Sequence, residues 1–217
     1  MKKTLQTTLA LSLLFALAAP AAAQQQAKPP KTPASWSLGL RLGAFDMINS
    51  ADSYDAVYGD PVFMGGAVTE VQWRRLRFAL SLDYGSVGGE RVLLTGGSPR
   101  GTGVDQDLTL LPVHLTAFWR FNPGSPWEWS AGLGPSLLMW EDEGPGVSND
   151  GTDTGGSVAL ALRRTAGGLN APGWEWGGEL RWSTFPGALP NEGGVTAFYD
   201  EDDPGGIALT FSAIRRF

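Results

Sequence analysis

The sequence predicts an all-β protein: eight antiparallel strands in up-and-down order, closed into a transmembrane β-barrel. Three observations predict it. From Trp36 onward, apolar side chains recur at every second residue, the spacing at which strand side chains alternate between two faces. The connections between these segments alternate between short and long. Seven of the nine tryptophans fall beside the short connections, all on the apolar face.

The chain opens with Lys2 and Lys3, an apolar run from Leu9 to Ala19, and Ala21-Ala22-Ala23 before Gln24. This is the pattern of a cleaved signal peptide over residues 1–23, and the run is too short to be a membrane span. Cleavage there removes 23 residues and two lysines. It leaves 194 residues with 14 basic and 22 acidic side chains, a net charge of −8. Residues 24–35 are polar and Pro-rich and are expected to form a flexible tail. The barrel is expected over 36–217. Thirty glycines and fifteen prolines disfavour long helices. Without cysteine there is no disulfide framework, thiol nucleophile or thiolate metal site. An acidic chain with no basic cluster argues against nucleic-acid binding. With no apolar run long enough for a helix to span a bilayer, a closed barrel is the remaining route into one.

The first segment, Trp36 to Phe45, sets Trp36, Leu38, Leu40 and Leu42 against Ser37, Gly39, Arg41 and Gly43. The second runs from Val62 to Trp73. The third runs from Leu76 to Tyr84 and opposes Leu76, Phe78, Leu80, Leu82 and Tyr84 to Arg77, Ala79, Ser81 and Asp83. The fourth runs from Leu108 to Phe121, with Leu111, Val113, Leu115, Ala117 and Trp119 on its apolar face. The fifth spans Trp127 to Trp140, the sixth Ser157 to Arg164, the seventh Trp174 to Phe185 and the eighth Gly206 to Phe217. The connections Arg74-Arg75, Asn122 to Pro126 and Thr165 to Gly173 are short. Those from Asp46 to Pro61, Ser86 to Asp107, Glu141 to Gly156 and Pro186 to Gly205 are long. An even strand count puts both termini at the short-connection end.

Two patterns set which face points inward. The polar face is also the small one, with Gly132, Gly134 and Ser136 on segment five and Ala208, Thr210 and Ser212 on segment eight. The interior of an eight-stranded barrel is only wide enough for side chains. The tryptophans Trp36, Trp73, Trp119, Trp127, Trp129, Trp174 and Trp176 make an aromatic girdle, an arrangement suited to a membrane interface. A soluble barrel would turn the apolar face inward. The inward positions then carry Arg41, Arg77, Arg120, Arg163 and Arg181 with Glu70, Asp83, Glu128, Glu175 and Glu179. Charges of both signs there are expected to form an ion-pair network that plugs the lumen. Read more sharply, the same network is a gate whose pairs exchange.

Three long connections hold 14 of the 22 acidic residues and no Lys or Arg. Oxygen ligands suit Ca²⁺ or Mg²⁺, and Asp150, Asp153, Asp200 and Asp202 are the candidate metal ligands. A basic surface partner and a plain solvated surface are the other readings. The single histidine, His114, points inward and is expected to be a satisfied lumenal residue.

The whole pattern resembles the small bacterial outer-membrane β-barrels, the class of OmpA-type transmembrane domains and OmpX- or OmpW-type proteins. In that family a terminal aromatic such as Phe217 belongs to the signal read by the barrel-assembly machinery. Arg215 stands where the family usually has an apolar or aromatic residue, and Arg164 departs in the same way; both are long enough to snorkel. The resemblance implies an outer-membrane location in a Gram-negative-type bacterium, periplasmic termini, short periplasmic turns, long extracellular loops and contact with outer-membrane lipid. It also implies a monomer with no enzymatic role and no cofactor. A structural or surface-interaction role through the acidic loops comes first. A narrow channel for small or apolar solutes comes second. A lipid A-modifying enzyme comes third, from a faint similarity around His114, Thr116 and Glu128 to the lipid A deacylase barrels. There Thr116 replaces the nucleophilic Ser and Ala117 replaces the Asn.

Overall fold

A computed structural model of the chain describes residues 34–59, 61–95, 98–165, 172–187 and 199–217. The expected signal peptide, most of the Pro-rich tail, Asp60, most of the third short connection, and part of the last long one with Glu192 lie outside these residues.

The strands are β1 (Ser35–Asp46), β2 (Val62–Trp73), β3 (Leu76–Thr95), β4 (Ser98–Arg120), β5 (Trp127–Gly144), β6 (Val147–Thr165), β7 (Gly173–Thr184) and β8 (Gly206–Arg216). Each pairs antiparallel with the next, and β8 pairs with β1, so the sheet closes on itself. One row of paired residues runs Ser35, Gln72, Arg77, Phe118, Gly132, Ala159, Arg181, Ala208 and returns to β1 at Phe45. The row therefore comes back ten residues further along the strand. At about 3.3 Å per residue across eight strand spacings of about 4.8 Å, that shift tilts the strands by roughly 40°.

The two faces differ as the alternation requires. Leu40, Phe63 and Leu133 are 71%, 78% and 66% exposed on the outside, while Arg41, Arg77 and Arg181 are buried inside. This is a transmembrane type of barrel, apolar outside and charged within. Among the described residues, no helix is long and apolar enough to cross a membrane.

Two long connections are not loops for most of their length. Residues 86–95 extend β3 and 98–107 extend β4 as one hairpin. Residues 141–144 and 147–156 extend β5 and β6, joined by Pro145-Gly146 with Gly146 at φ 77°. Beyond the apolar band neither face of a strand needs to be apolar, so these extensions lack the period of two. The first long connection contains a 3₁₀ turn (Ile48–Ser50) and one short helix, α1 (Ala51–Val57).

The lumen is less uniformly small and polar than the sequence predicts. Phe45, Val62, Met64, Leu108, Leu110, Leu138 and Phe185 point inward at the long-connection end, and Met47 and Tyr54 pack against them. A second apolar cluster, Val68, Ala79, Phe118, Ala159, Ala161 and Ile214, separates parts of the charged network. Two inward glycines are matched to large neighbours: a Cβ on Gly132 would lie 2.6 Å from the Phe118 ring, and one on Gly177 would lie 2.6 Å from the Arg163 side chain. At these positions the large side chain fills the space that the glycine leaves.

Ala161 is buried within the lumen, and Ala117 faces outward. Ala161→Leu is therefore expected to cost about 1–3 kcal/mol by overpacking, whereas Ala117→Leu changes stability little. Urea unfolding of the refolded barrel in detergent or lipid, followed by tryptophan fluorescence, measures both.

Candidate functional site

All ten charged residues expected in the lumen are inside it and buried. Arg163 donates two hydrogen bonds to Glu70, both 2.6 Å, across the barrel. Arg120 grips Glu128 in the same forked manner, at 2.7 and 2.5 Å, and its third donor reaches the Arg74 carbonyl at 2.8 Å. Glu179 accepts from Arg181 at 3.0 and 2.7 Å and from Arg41 at 3.4 and 3.3 Å. Arg41 also lies 3.2 Å from Asp83. Glu175 lies 3.7 Å from Arg163 and pairs with Arg216. Arg216, which is not among the lumenal charges expected from the sequence, also points inward and joins the network. Its even position on β8 was the available signal.

The network thus holds six guanidinium groups and five carboxylates. Planar forks matched to carboxylates suit a site where charges sit away from bulk water. Arg77 is the least matched member. It donates to the Ser130 hydroxyl at 2.8 Å, lies 4.2 Å from the centre of the Phe118 ring and is 3.9 Å from Glu70. Its Nε and Nη1, with the side-chain oxygens of Ser35, Ser37 and Gln72, have no hydrogen-bond partner among the described residues. These groups line β1 to β3 at the short-connection end, and that end of the lumen is a place for ordered water.

Above the network, the apolar cluster closes the lumen. Between the two lies a cavity of about 10 Å³ bordered by Arg41, Asp83, His114, Arg181, Met64 and Phe185. That volume holds about one water molecule. His114 is buried, and its Nδ1 lies 2.7 Å from the Ser136 hydroxyl. Thr116 instead accepts from Arg181 at 2.8 Å, and Glu128 is held by Arg120. The His114–Thr116–Glu128 constellation of the deacylase reading is therefore not assembled, because arginines occupy both partners. In its place stands a satisfied lumenal histidine.

The acidic connections are tied to one another. The Asp203 carboxylate accepts from Asn49 Nδ2 at 2.9 Å, from the backbone N–H of Phe185 at 2.6 Å and Gly205 at 2.8 Å, and from the Thr184 hydroxyl. Its carbonyl accepts from the Ser50 hydroxyl at 2.5 Å. Glu201 accepts from the backbone N–H groups of Asp52 and Ser53 at 3.3 and 2.8 Å, in the first turn of α1. There it satisfies donors that have no partner within the helix. Asp142 accepts from the Tyr58 hydroxyl at 2.8 Å and from Gln106 at 2.7 and 2.6 Å. Burial and then the Asp142 carboxylate push the Tyr58 phenol up, so it stays a protonated donor. Of the four candidate metal ligands, Asp153 accepts from the Trp140 indole at 2.9 Å. Asp150 is exposed, Asp200 has φ 57° and Asp202 is half-buried. Among the described residues, no three His, Asp or Glu side chains come together as a metal would require. The loop roles of Asp203, Glu201 and Asp142 escaped the sequence reading. For Asp203 and Glu201 the signal was weak, the Asp200–Asp203 run before Pro204-Gly205; for Asp142 it was only the Glu141-Asp142-Glu143 run.

The seven girdle tryptophans lie on strand ends beside the short connections, and each is about half exposed on the outer face. Phe217 stacks on Trp36, with ring centres 4.3 Å apart, and its N–H donates to the Trp36 carbonyl at 2.9 Å.

No protein-family model matches the chain, and a search of curated proteins finds no relative. Solved structures give likenesses at low identity. Neisserial surface protein A is 14% identical, with 84% of this chain and 95% of that one covered at a TM-score of 0.48. Ail, the attachment invasion locus protein of Yersinia pestis, is 12% identical, with 87% and 100% covered at 0.49. The N-terminal β-barrel domain of Pseudomonas aeruginosa OprF is 12% identical, with 83% and 97% covered at 0.44. The barrel here is defined by its own strand pairing.

Removing one partner of a buried ion pair strands the other. Glu70→Gln is expected to cost about 3–5 kcal/mol by removing the forked partner of Arg163 and leaving it only Glu175, 3.7 Å away, and a second change, Arg163→Met, should recover much of it. Urea unfolding of the single and double variants measures this. Asp203→Ala is expected to speed amide hydrogen exchange at Phe185, Gly205 and α1 while leaving exchange in β2 to β5 unchanged.

Proposed function

We propose that this chain is an integral β-barrel of the outer membrane of a Gram-negative-type bacterium, non-enzymatic and plugged, presenting its acidic connections to the outside. One observation carries the reading: the barrel is inside out relative to a soluble one. A continuous apolar band faces outward and would need lipid to cover it, while paired charges fill the lumen. The tryptophan girdle supports the same reading, with the short connections at a membrane interface. With short turns on the periplasmic side, as in outer-membrane barrels generally, the termini would lie there and the acidic connections outside.

The surface role follows from how those connections are built. Asp203, Glu201 and Asp142 hold them in place, and the remaining exposed carboxylates form a preorganised acidic surface. Such a surface suits a basic partner or divalent cations that bridge it to lipid phosphates. The chain would act as a monomer, delivered by the barrel-assembly machinery with Phe217 in its signal. A narrow channel is the second reading, favoured by the unpartnered polar groups around Arg77. It requires the apolar plug around Leu110, Leu138 and Phe185 to move.

Two measurements test the proposal together. The unheated protein from purified outer membranes is expected to migrate differently from the boiled protein on a gel, and to give no steady conductance in planar bilayers. Recovery of the mature protein in the periplasmic fraction would overturn the membrane reading. Steady single-channel currents would replace the plug with the channel.

A further inference from the structure

The outer surface at the short-connection end carries four exposed arginines, Arg74, Arg75, Arg164 and Arg215. No carboxylate of the described residues pairs with any of them, because Glu128 and Glu175 at that end point inward and are already held by arginine. Three of the four lie over girdle tryptophans. The guanidinium carbon of Arg74 is 5.2 Å from the centre of the Trp73 ring, that of Arg215 is 5.8 Å from Trp174 and that of Arg164 is 6.0 Å from Trp127. Two of these are direct cross-strand pairs, Trp127 opposite Arg164 and Trp174 opposite Arg215. The third sits in the two-residue turn between β2 and β3.

That turn provides an independent observation. Arg74 has φ 54°, a left-handed conformation that Gly and Asn adopt readily and a bulky side chain adopts at a cost. Turn geometry alone would favour Gly or Asn there, so what arginine adds is its side chain. The three pairs also lie on separate parts of the circumference, at the β2–β3, β5–β6 and β7–β8 junctions.

A guanidinium set over an indole ring at 5–6 Å uses no N–H donor in that contact, and those donors match two oxygens of a phosphate. Tryptophan sits where hydrocarbon gives way to headgroups, so the guanidinium beside it lies in the layer of lipid phosphates. We propose that Arg74–Trp73, Arg164–Trp127 and Arg215–Trp174 are three clamps, each holding the phosphodiester of an anionic phospholipid in the leaflet at the short-connection end. This rests on the membrane reading above. The charge is complementary: among the described residues, the charged side chains on the outer surface of this end are arginines, and the acidic side chains of the connections lie at the opposite end of the barrel. The indole supports the cation from one face, and the lipid neutralises it from the edge.

The full mature protein is refolded into vesicles of phosphatidylcholine and of phosphatidylcholine with phosphatidylglycerol. The temperature at which its gel mobility changes is read in each. The wild-type midpoint is expected to rise with the phosphatidylglycerol fraction, and the rise should shrink in high salt. The triple variant Arg74→Gln, Arg164→Gln, Arg215→Gln should fold equally well in phosphatidylcholine and lose the rise. Native mass spectrometry should show preference for retained phosphatidylglycerol falling about five-fold for each arginine removed. Arg74→Asn separates a structural role from a clamp: it should relieve the turn and raise the midpoint in phosphatidylcholine, yet weaken the phosphatidylglycerol response. A wild-type midpoint indifferent to phosphatidylglycerol, or a triple variant that keeps the rise, overturns the clamps and leaves the barrel reading intact. Failure to insert into either vesicle overturns both.

Discussion

Everything in this molecule depends on closure of the sheet. A strand in lipid has no water to satisfy its backbone, so each of the eight must find hydrogen-bonding partners on both edges. Closure with a ten-residue shift sets the strand tilt, and the tilt decides which inward side chains share a level. Arg163 on β6 and Glu70 on β2 are 93 residues apart and meet across the lumen for that reason. The ion pairs are thus consequences of the register and also lock it. Sliding one strand by a single residue would turn its arginines into the lipid.

The interior divides its work between two chemistries. Paired charges fill the lumen toward the short connections, and an apolar plug closes it toward the long ones. Buried ion pairs seldom add much net stability, because desolvation offsets attraction. They do make one arrangement far better than its neighbours. The apolar cluster contributes packing and excludes water from above. The unmatched Arg77 and its polar neighbours show where the compromise falls: beside the short connections, where hydration is available.

The strands were legible in the sequence wherever the surroundings impose two different faces. Leu38, Leu40 and Leu42 against Arg41 and Gly43 cannot be read any other way once lipid lies on one side and a packed lumen on the other. Outside that band the constraint lapses. Residues 86–95, 98–107 and 141–156 are largely strand, but neither face there has to be apolar and the hydrophobic alternation disappears. The apolar plug was visible as parity, since Phe45, Val62 and Leu138 share the inward set with Arg41, Glu70 and Glu128. The expectation of a uniformly small interior hid it. Which arginine meets which carboxylate was not legible, because that depends on tilt and register. Neither was the anchoring role of Asp203, whose partners come from two separate connections.

The positions of Asp203 and Phe217 carry a consequence for how the ring holds together. Asn49 and Ser50 follow β1, and Asp203 precedes β8, so their hydrogen bonds bridge the seam where those two strands meet. At the other end of the same seam, Phe217 bonds and stacks on Trp36. The junction between the first and last strands is therefore latched at both ends, once in the long connections and once beside the short ones. A surface segment that elsewhere could drift freely is here a fastener of the barrel. Its capacity to change for the sake of a new partner is limited by the need to keep the cylinder shut.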